Sequence, residues 1–239
     1  MGTLSTVGEI VLVVIIVLVV LSIFTPGLFG AVKKVFQIGG QQTGITPILP
    51  PSIGGNNGDN SGSSSSCGVD VSTCQLDVRT DSPSMTVDQI KKVLVDAKSP
   101  AISNEPDVAQ TFYDESKQTG IDDAVAIAFF QHESTFGTAG DTKTTKNMGN
   151  IRYTDLCSSK YGGKNYKGFC AYPTWKEGII AWYNLIKDGY IDNLHLTTLG
   201  PILATYAPCG DNNNLQNYMA SVKNFVSQYG RDVSSCQLS

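Results

Sequence analysis

The sequence lacks the clustered positive charge with which proteins bind the phosphate backbone of nucleic acids. Seventeen Lys and Arg residues stand against 21 Asp and Glu residues, which gives a net charge of −4. The basic residues are scattered and form only short pairs, such as Lys33-Lys34 and Lys91-Lys92. Because nucleic-acid affinity depends on a basic stripe or patch, the sequence predicts no nucleic-acid partner.

Histidine and cysteine ligands in a spacing typical of zinc sites are also lacking. The sequence has two histidines, His132 and His195, and no pair of cysteines has the C-x₂-C spacing that is typical of zinc sites. We therefore expect neither a metal ion nor another cofactor.

Charge is absent from a long segment near the amino terminus. No charged residue occurs from Ile10 to Val32, and Ile10 to Leu21 is an unbroken run of Val, Ile and Leu. This length predicts a single transmembrane helix in residues 10–32, with a kink near Pro26. A cleaved signal peptide is disfavoured, because no Lys or Arg precedes the run and no clear small-x-small cleavage site follows it.

Two segments follow the predicted transmembrane helix. Gly27 to Gln37 is either an amphipathic extension along the membrane interface or a helix end with snorkelling lysines, so residues 1–38 form the predicted anchor. Residues 39–66 are dominated by Gly, Asn, Ser, Pro and Thr, which cannot build a core. They are typical of a flexible, disordered linker, and we assign the remaining residues 67–239 to one globular domain.

All six cysteines lie in that predicted domain. An even number of cysteines after a membrane segment favours disulfides in an oxidising compartment over free thiols or zinc. Proximity in the sequence predicts the pairs Cys67–Cys74, Cys157–Cys170 and Cys209–Cys236.

One predicted helix carries a carboxylate at its end. It begins near Asp122-Asp123 and has no charge from Ala124 to Phe130, and Glu133 lies in its last turn. The residues three and four positions before Glu133 are both Phe, so they share its helix face. Apolar surroundings raise the pKa of a carboxyl group, as a general acid for glycosidic cleavage requires. The alternative is an ordinary solvated glutamate.

The motif HESTFGT, which contains Glu133, is followed after a polar loop by TKNMGNIR. Together they resemble the catalytic core of the lysozyme-like endo-β-N-acetylglucosaminidases that act on bacterial cell walls. In that family a helix-ending Glu-Ser precedes an Asn-x-Gly-Asn-type segment. The resemblance implies that Glu133 is the catalytic acid. The residues it assigns to the substrate site are Ser134, Asn147, Asn150 and Arg152.

The same resemblance extends over about Met85 to Tyr229. It includes TVDQIKKVL, the stretch FCAYPTWKEGIIAWYNLI and the closing motif ILATYAPCGDNNNLQNY. In the closing motif the family places a tyrosine beside the cleft, which implies a catalytic role for Tyr206 and a substrate-binding role for Asp211. A buried, hydrogen-bonded tyrosine is the alternative for Tyr206.

Local patterns predict four further helices and a hairpin in this domain. Thr86 to Gln89 and Thr174 to Glu177 are capping boxes that open helices, and Asp107 to Thr119 and Leu215 to Tyr229 have helical spacing of apolar residues. Gly and Tyr residues between Arg152 and Tyr172 favour a short hairpin held by Cys157 and Cys170. The predicted fold is mainly α, a lysozyme-like helical domain with a small β-hairpin.

The reaction type stays open at this point. Hydrolysis with two carboxylates requires a second one about 5 to 9 Å from Glu133, for which Asp141 and Asp211 are candidates. A lytic transglycosylase needs none, because a hydroxyl of the substrate attacks. A noncatalytic wall-binding or structural module on the same fold and a membrane-perturbing protein are further alternatives.

Two signals on membrane topology conflict. Lys33-Lys34 follows the predicted span, and the positive-inside rule would then place the domain in the cytoplasm. We give more weight to the cysteines and to the wall-directed activity, both of which favour the non-cytoplasmic side. The expected protein is a single-pass membrane protein of a cell envelope, secretion apparatus or virion, with peptidoglycan glycan strands and the lipid bilayer as partners.

Overall fold

The computed structural model of the protein describes residues 69–208, 211 and 213–238. These residues are mainly helical and include one small two-stranded antiparallel sheet, which confirms the predicted fold class at that level. The predicted anchor 1–38, the predicted linker 39–66, Cys67 and Cys209 all lie outside the described residues. Within the described part of the chain, every helix is too short or too polar to cross a bilayer.

The described chain opens with a 3₁₀ turn and then alternates short helices with loops. The elements are a 3₁₀ turn (Val71–Thr73), α1 (Val87–Asp96), α2 (Pro100–Asn104), α3 (Val108–Thr119), α4 (Asp123–Ser134), α5 (Thr142–Thr145), α6 (Asp155–Tyr161), β1 (Lys164–Tyr166), β2 (Phe169–Ala171), α7 (Trp175–Asn184), a π-helix (Leu185–Asn193), α8 (Leu199–Tyr206) and α9 (Leu215–Ser227).

Both predicted capping boxes are present. At the start of α1, Thr86 accepts a hydrogen bond from the Gln89 amide, and the Gln89 side chain accepts one from the Thr86 amide. Thr174 and Glu177 make the reciprocal pair at the start of α7. Each box satisfies amides that the first helical turn leaves unpaired, so these helix starts are encoded locally.

Helix α4 is the central element of the core. Every residue from Asp123 to Phe130 is buried, and α4 packs against α3 and α9. The Asp122 side chain accepts a hydrogen bond of 2.7 Å from the Ala124 amide and so caps the helix. Burial on all sides explains why the helix has no charged side chain from Ala124 to Phe130.

One predicted disulfide is confirmed and two are wrong. Cys157 pairs with Cys170, whereas Cys74 pairs with Cys236 across a sequence separation of 162, not with Cys67. An isolated antiparallel bridge joins residues 74 and 236. Because the two ends of the described domain lie side by side, proximity along the sequence gave the wrong partner for each of these cysteines.

The predicted hairpin is present as β1 and β2, with Asn165 opposite Cys170. Cys157 lies on α6, which the sequence analysis did not predict, so the Cys157–Cys170 disulfide ties a helix to the hairpin. The final helix is capped by Asn214, which accepts a hydrogen bond from the Asn217 amide.

Candidate active site

Glu133 lies in the last turn of α4, where the helix leaves the core. The helix ends at Ser134, and Thr135 takes the left-handed conformation with a φ of 48°. Glu133 is neither buried nor fully exposed, although the helix before it is buried. Its carboxyl group therefore lies at the edge of the apolar interior, and the residue is partly accessible to solvent.

Two hydrogen-bond donors hold the Glu133 carboxyl group, one on each oxygen. The Tyr218 hydroxyl, from α9, donates to Oε1 at 2.8 Å. The Asn150 side-chain amide donates to Oε2 at 3.1 Å and to the Glu133 backbone carbonyl at 2.8 Å. Three separate parts of the chain thus meet at this carboxyl group.

Burial and hydrogen bonding act on the Glu133 carboxyl group in opposite directions. Burial raises its pKa, and the bonds from Tyr218 and Asn150 lower it by a smaller amount. The net effect is a raised pKa, as expected for a carboxyl group against an aromatic interior. The Tyr218 hydroxyl itself stays protonated, because burial and the nearby carboxylate raise its pKa well above the ordinary value.

The loop that carries Asn150 comes very close to the core. A side chain on Gly149 would meet Trp182 Cδ1 at 2.6 Å, the Tyr206 hydroxyl at 2.9 Å and Phe130 Cε1 at 3.1 Å. Asn150 itself has a φ of 50°, which an asparagine tolerates better than most residues. Glycine at 149 and asparagine at 150 therefore allow the loop to present its amide to Glu133.

Tyr206, at the end of α8, contacts this loop rather than the acid. Its hydroxyl donates a hydrogen bond to the Gly149 carbonyl. Its ring packs edge-on against Phe129, with centroids 5.3 Å apart. The contact fixes the backbone next to Asn150, and the predicted catalytic role of Tyr206 stays a prediction.

Two of the predicted substrate residues are buried in the scaffold of the site. The Ser134 hydroxyl donates to the Met148 carbonyl at 2.9 Å and accepts from the Gly137 amide at 3.0 Å. The Asn147 amide donates to the carbonyls of Ile151 and Cys170 at 2.8 and 2.9 Å. Both side chains join backbone segments around Glu133.

Two further predicted substrate residues, Arg152 and Asp211, form an exposed pair. The Arg152 guanidinium lies 3.5 Å from the Asp211 carboxylate and 4.9 Å from the centroid of the Phe169 ring. The candidate second carboxylate Asp141 forms an ion pair of 2.9 Å with Lys167. Both candidates for a second carboxylate are thus exposed and bound to cations.

Tyr218 was not among the site residues predicted from the sequence. Its predicted place was only the apolar side of the last helix and the closing motif. The available signal was that Tyr218 is the second tyrosine of that motif, 12 positions after Tyr206. A contact between positions 85 residues apart, however, depends on how α9 packs on α4.

Comparison with known proteins adds no further assignment, because no protein-family model, curated protein or solved structure matches the chain.

Proposed function

We propose that this chain is a glycosidase of the lysozyme-like class that cleaves β-1,4 bonds between the amino sugars of peptidoglycan. Glu133 acts as the general acid. The observation that carries this proposal is a single carboxyl group at the end of a buried helix, with a raised pKa and a hydrogen-bond donor on each oxygen.

These surroundings suit both states that a general acid must pass through. Burial favours the protonated form, which donates its proton to the oxygen of the leaving sugar. Once the proton is transferred, the Tyr218 hydroxyl and the Asn150 amide stabilise the carboxylate that is left. The two donors thereby lower the free energy of the ionised product, while the net effect of the surroundings is still a raised pKa.

The remaining contacts suggest how a glycan strand is held. Arg152, stacked on Phe169, offers an exposed cation and ring beside the Asn150 loop. Saccharides bind through hydrogen bonds and through contact with aromatic faces, so we assign Arg152, Asp211 and Asn150 to substrate binding. Tyr206 steadies the loop through Gly149 and lies close enough for its hydroxyl to act on Glu133 electrostatically.

A lytic transglycosylase on the same substrate is the second candidate. It is favoured by the ion pairs Arg152–Asp211 and Lys167–Asp141, which occupy the two acidic side chains proposed as partners of Glu133. In a transglycosylase the sugar's own hydroxyl attacks, and Glu133 alone carries the proton chemistry. The two reactions differ in the end group of the product, which is a reducing sugar after hydrolysis and an anhydro-sugar after transglycosylation.

We further propose that residues 10–32 insert into a bilayer and that residues 39–66 tether the domain on the non-cytoplasmic side. The apolar run supports the insertion, and the two disulfides of the described domain support an oxidising compartment. Expressed full chain should resist extraction by alkaline carbonate, and protease added outside the membrane should digest the domain. Release by carbonate, or protection from the protease, would contradict this topology.

The enzymatic proposal is tested by incubating the full chain with purified peptidoglycan and measuring the soluble glycan that is released. A noncatalytic wall-binding protein would release none. Glu133→Gln should reduce the rate by about 10³-fold, within the range for loss of a positioned general acid. Glu177→Gln is the matched control, because glutamine can replace glutamate in a capping box. Binding to the wall without glycan release by wild type would leave only a binding module.

A further inference from the structure

Two consecutive residues of α4 hold the same tyrosine of α9. Glu133 accepts the hydrogen bond of the Tyr218 hydroxyl at 2.8 Å. The His132 ring stacks on the Tyr218 ring, with centroids 3.7 Å apart and an interplanar angle of 20°. The hydroxyl and the ring face of Tyr218 are therefore both fixed by the last turn of α4.

A third residue of the same helix completes the contact. Phe129 packs against the Tyr218 ring with centroids 5.3 Å apart. Phe129, His132 and Glu133 are spaced i, i+3 and i+4, so they share one helix face. This face contacts Tyr218 with two rings and one carboxyl group.

The contacts of Tyr218 with Phe129, His132 and Glu133 differ in how they restrain the tyrosine side chain. The contact with Phe129 is part of the buried core, and it would persist in any well-packed helix pair. His132 is exposed apart from the face that stacks on Tyr218, so core packing does not require a ring at this position. A flat ring at 132 limits the tilt of Tyr218 and hence the direction of its hydroxyl.

We propose that His132 is a positioning residue for the acid: its ring stacks on Tyr218 and holds the tyrosine hydroxyl on Oε1 of Glu133. The catalytic consequence rests on the proposed function, whereas the geometric consequence does not. His132 acts here as an aromatic surface and exchanges no proton with the substrate.

Electrostatics are consistent with this role. Partial burial of the ring lowers the pKa of His132, so the imidazole is neutral near neutral pH and stacks as an uncharged ring. The groups that act on Tyr218 are Glu133 on α4, Tyr206 on α8 and Tyr190 on the π-helix. Among these described neighbours only Glu133 is a carboxyl group, and its Oε1 accepts the hydrogen bond of the hydroxyl.

Carbon-13 NMR of the glutamate carboxyl groups provides a readout that does not depend on activity. The chain has five glutamates, so the Glu133 signal can be assigned by its loss in Glu133→Gln. Because the Tyr218 bond lowers the pKa of Glu133, His132→Ala should raise that pKa, and Tyr218→Phe should raise it as well. His132→Phe keeps a stacking ring and should leave the pKa near the wild-type value.

A double-mutant cycle separates positioning from simple exposure of the acid to water. His132→Ala should raise the pKa of Glu133 when the Tyr218 hydroxyl is present and should have no such effect in the Tyr218→Phe background. The same change in both backgrounds, or no change in either, would overturn the positioning role. His195→Asn, at the other histidine, is the control and should leave the pKa unchanged.

Kinetics then link the geometry to catalysis. On peptidoglycan, His132→Ala should lower kcat about 10-fold with little change in KM, and His132→Phe should restore most of it. If wild type releases no glycan, the glycosidase proposal fails while the NMR cycle still decides the positioning role. If wild type is active and the cycle shows no coupling, only the positioning role fails.

Discussion

The Tyr218 hydroxyl donates a hydrogen bond of 2.8 Å to Glu133 across 85 positions of the sequence. The proton donor and one of the two groups that stabilise its ionised form thus belong to different helices, α4 and α9. Their contact depends on the packing of the whole domain. Variants that loosen α9 or the Asn150 loop should therefore change the pKa and the activity of Glu133 while the domain stays folded.

Asn150→Asp should impair the acid by changing its charge environment. The variant removes the amide donor from Oε2 and places a carboxylate beside it, and a neighbouring like charge raises the pKa of Glu133. We expect kcat/KM to fall about 100-fold, comparable with the loss of one preorganised donor. Asn165→Asp makes the same change on the hairpin, where the side chain accepts from the Gly168 amide, and should keep wild-type activity. Equal activity of the two variants would contradict the role of Asn150.

Gly149→Ala should disturb the same loop through steric overlap. The added methyl group meets Trp182 at 2.6 Å and the Tyr206 hydroxyl at 2.9 Å, and such overpacking typically costs about 1–3 kcal/mol. Urea unfolding should show this loss, together with reduced glycan release. Gly189→Ala is the matched control, because its methyl group meets only Leu185 Cδ1 at 3.4 Å. A Gly149→Ala protein as stable as this control would refute the close approach.

The two described disulfides should contribute unequally to stability. Cys74–Cys236 closes a loop with a separation of 162 and Cys157–Cys170 one of 13, which corresponds to about 5 and about 3 kcal/mol in the chain-entropy model. The difference in the free energy of unfolding can be measured under non-reducing conditions with two double variants, Cys74→Ala/Cys236→Ala and Cys157→Ala/Cys170→Ala. A larger loss from the second pair would contradict the assignment of Cys74–Cys236 as the tie between the ends of the domain.

Asp123 should make stability fall as the pH rises. It is fully buried, one of its oxygens has no partner within the described structure, and burial with the neighbouring Asp122 raises its pKa to about 7 from 3.8. Between these values the folded protein keeps a proton that the unfolded chain releases. The stabilisation is therefore complete below the unfolded pKa and is lost as the pH rises through the folded pKa.

The Asp123→Asn variant tests whether Asp123 lowers the free energy of unfolding as the pH rises. The variant should match wild type near pH 3 and exceed it near pH 9 by an amount on the order of 4 kcal/mol, measured by urea unfolding. Asp122→Asn should instead destabilise, because Asp122 forms an ion pair of 2.8 Å with Arg231. A pH-independent difference between Asp123→Asn and wild type would show that Asp123 does not titrate in this range.

Short-range patterns were sufficient to predict the helices that position the site. The capping boxes at Thr86 and Thr174 and the uncharged run before Glu133 are encoded within a few residues, and the structure contains each element. The partner of Cys74 and the contact of Tyr218 with Glu133 depend on which distant segments meet. No local rule specifies those contacts, so the sequence analysis assigned the first wrongly and missed the second.

The measurement that tests the central proposal most directly is mass spectrometry of the products formed from purified peptidoglycan by the full chain and by Glu133→Gln. We predict soluble glycan fragments from wild type alone. Reducing ends among them would establish a hydrolase and identify the bond that is cut, and anhydro-sugar ends would establish a transglycosylase. Absence of any fragment from folded, oxidised wild type on several wall types, or equal product from Glu133→Gln, would contradict the assignment of Glu133 as the catalytic acid.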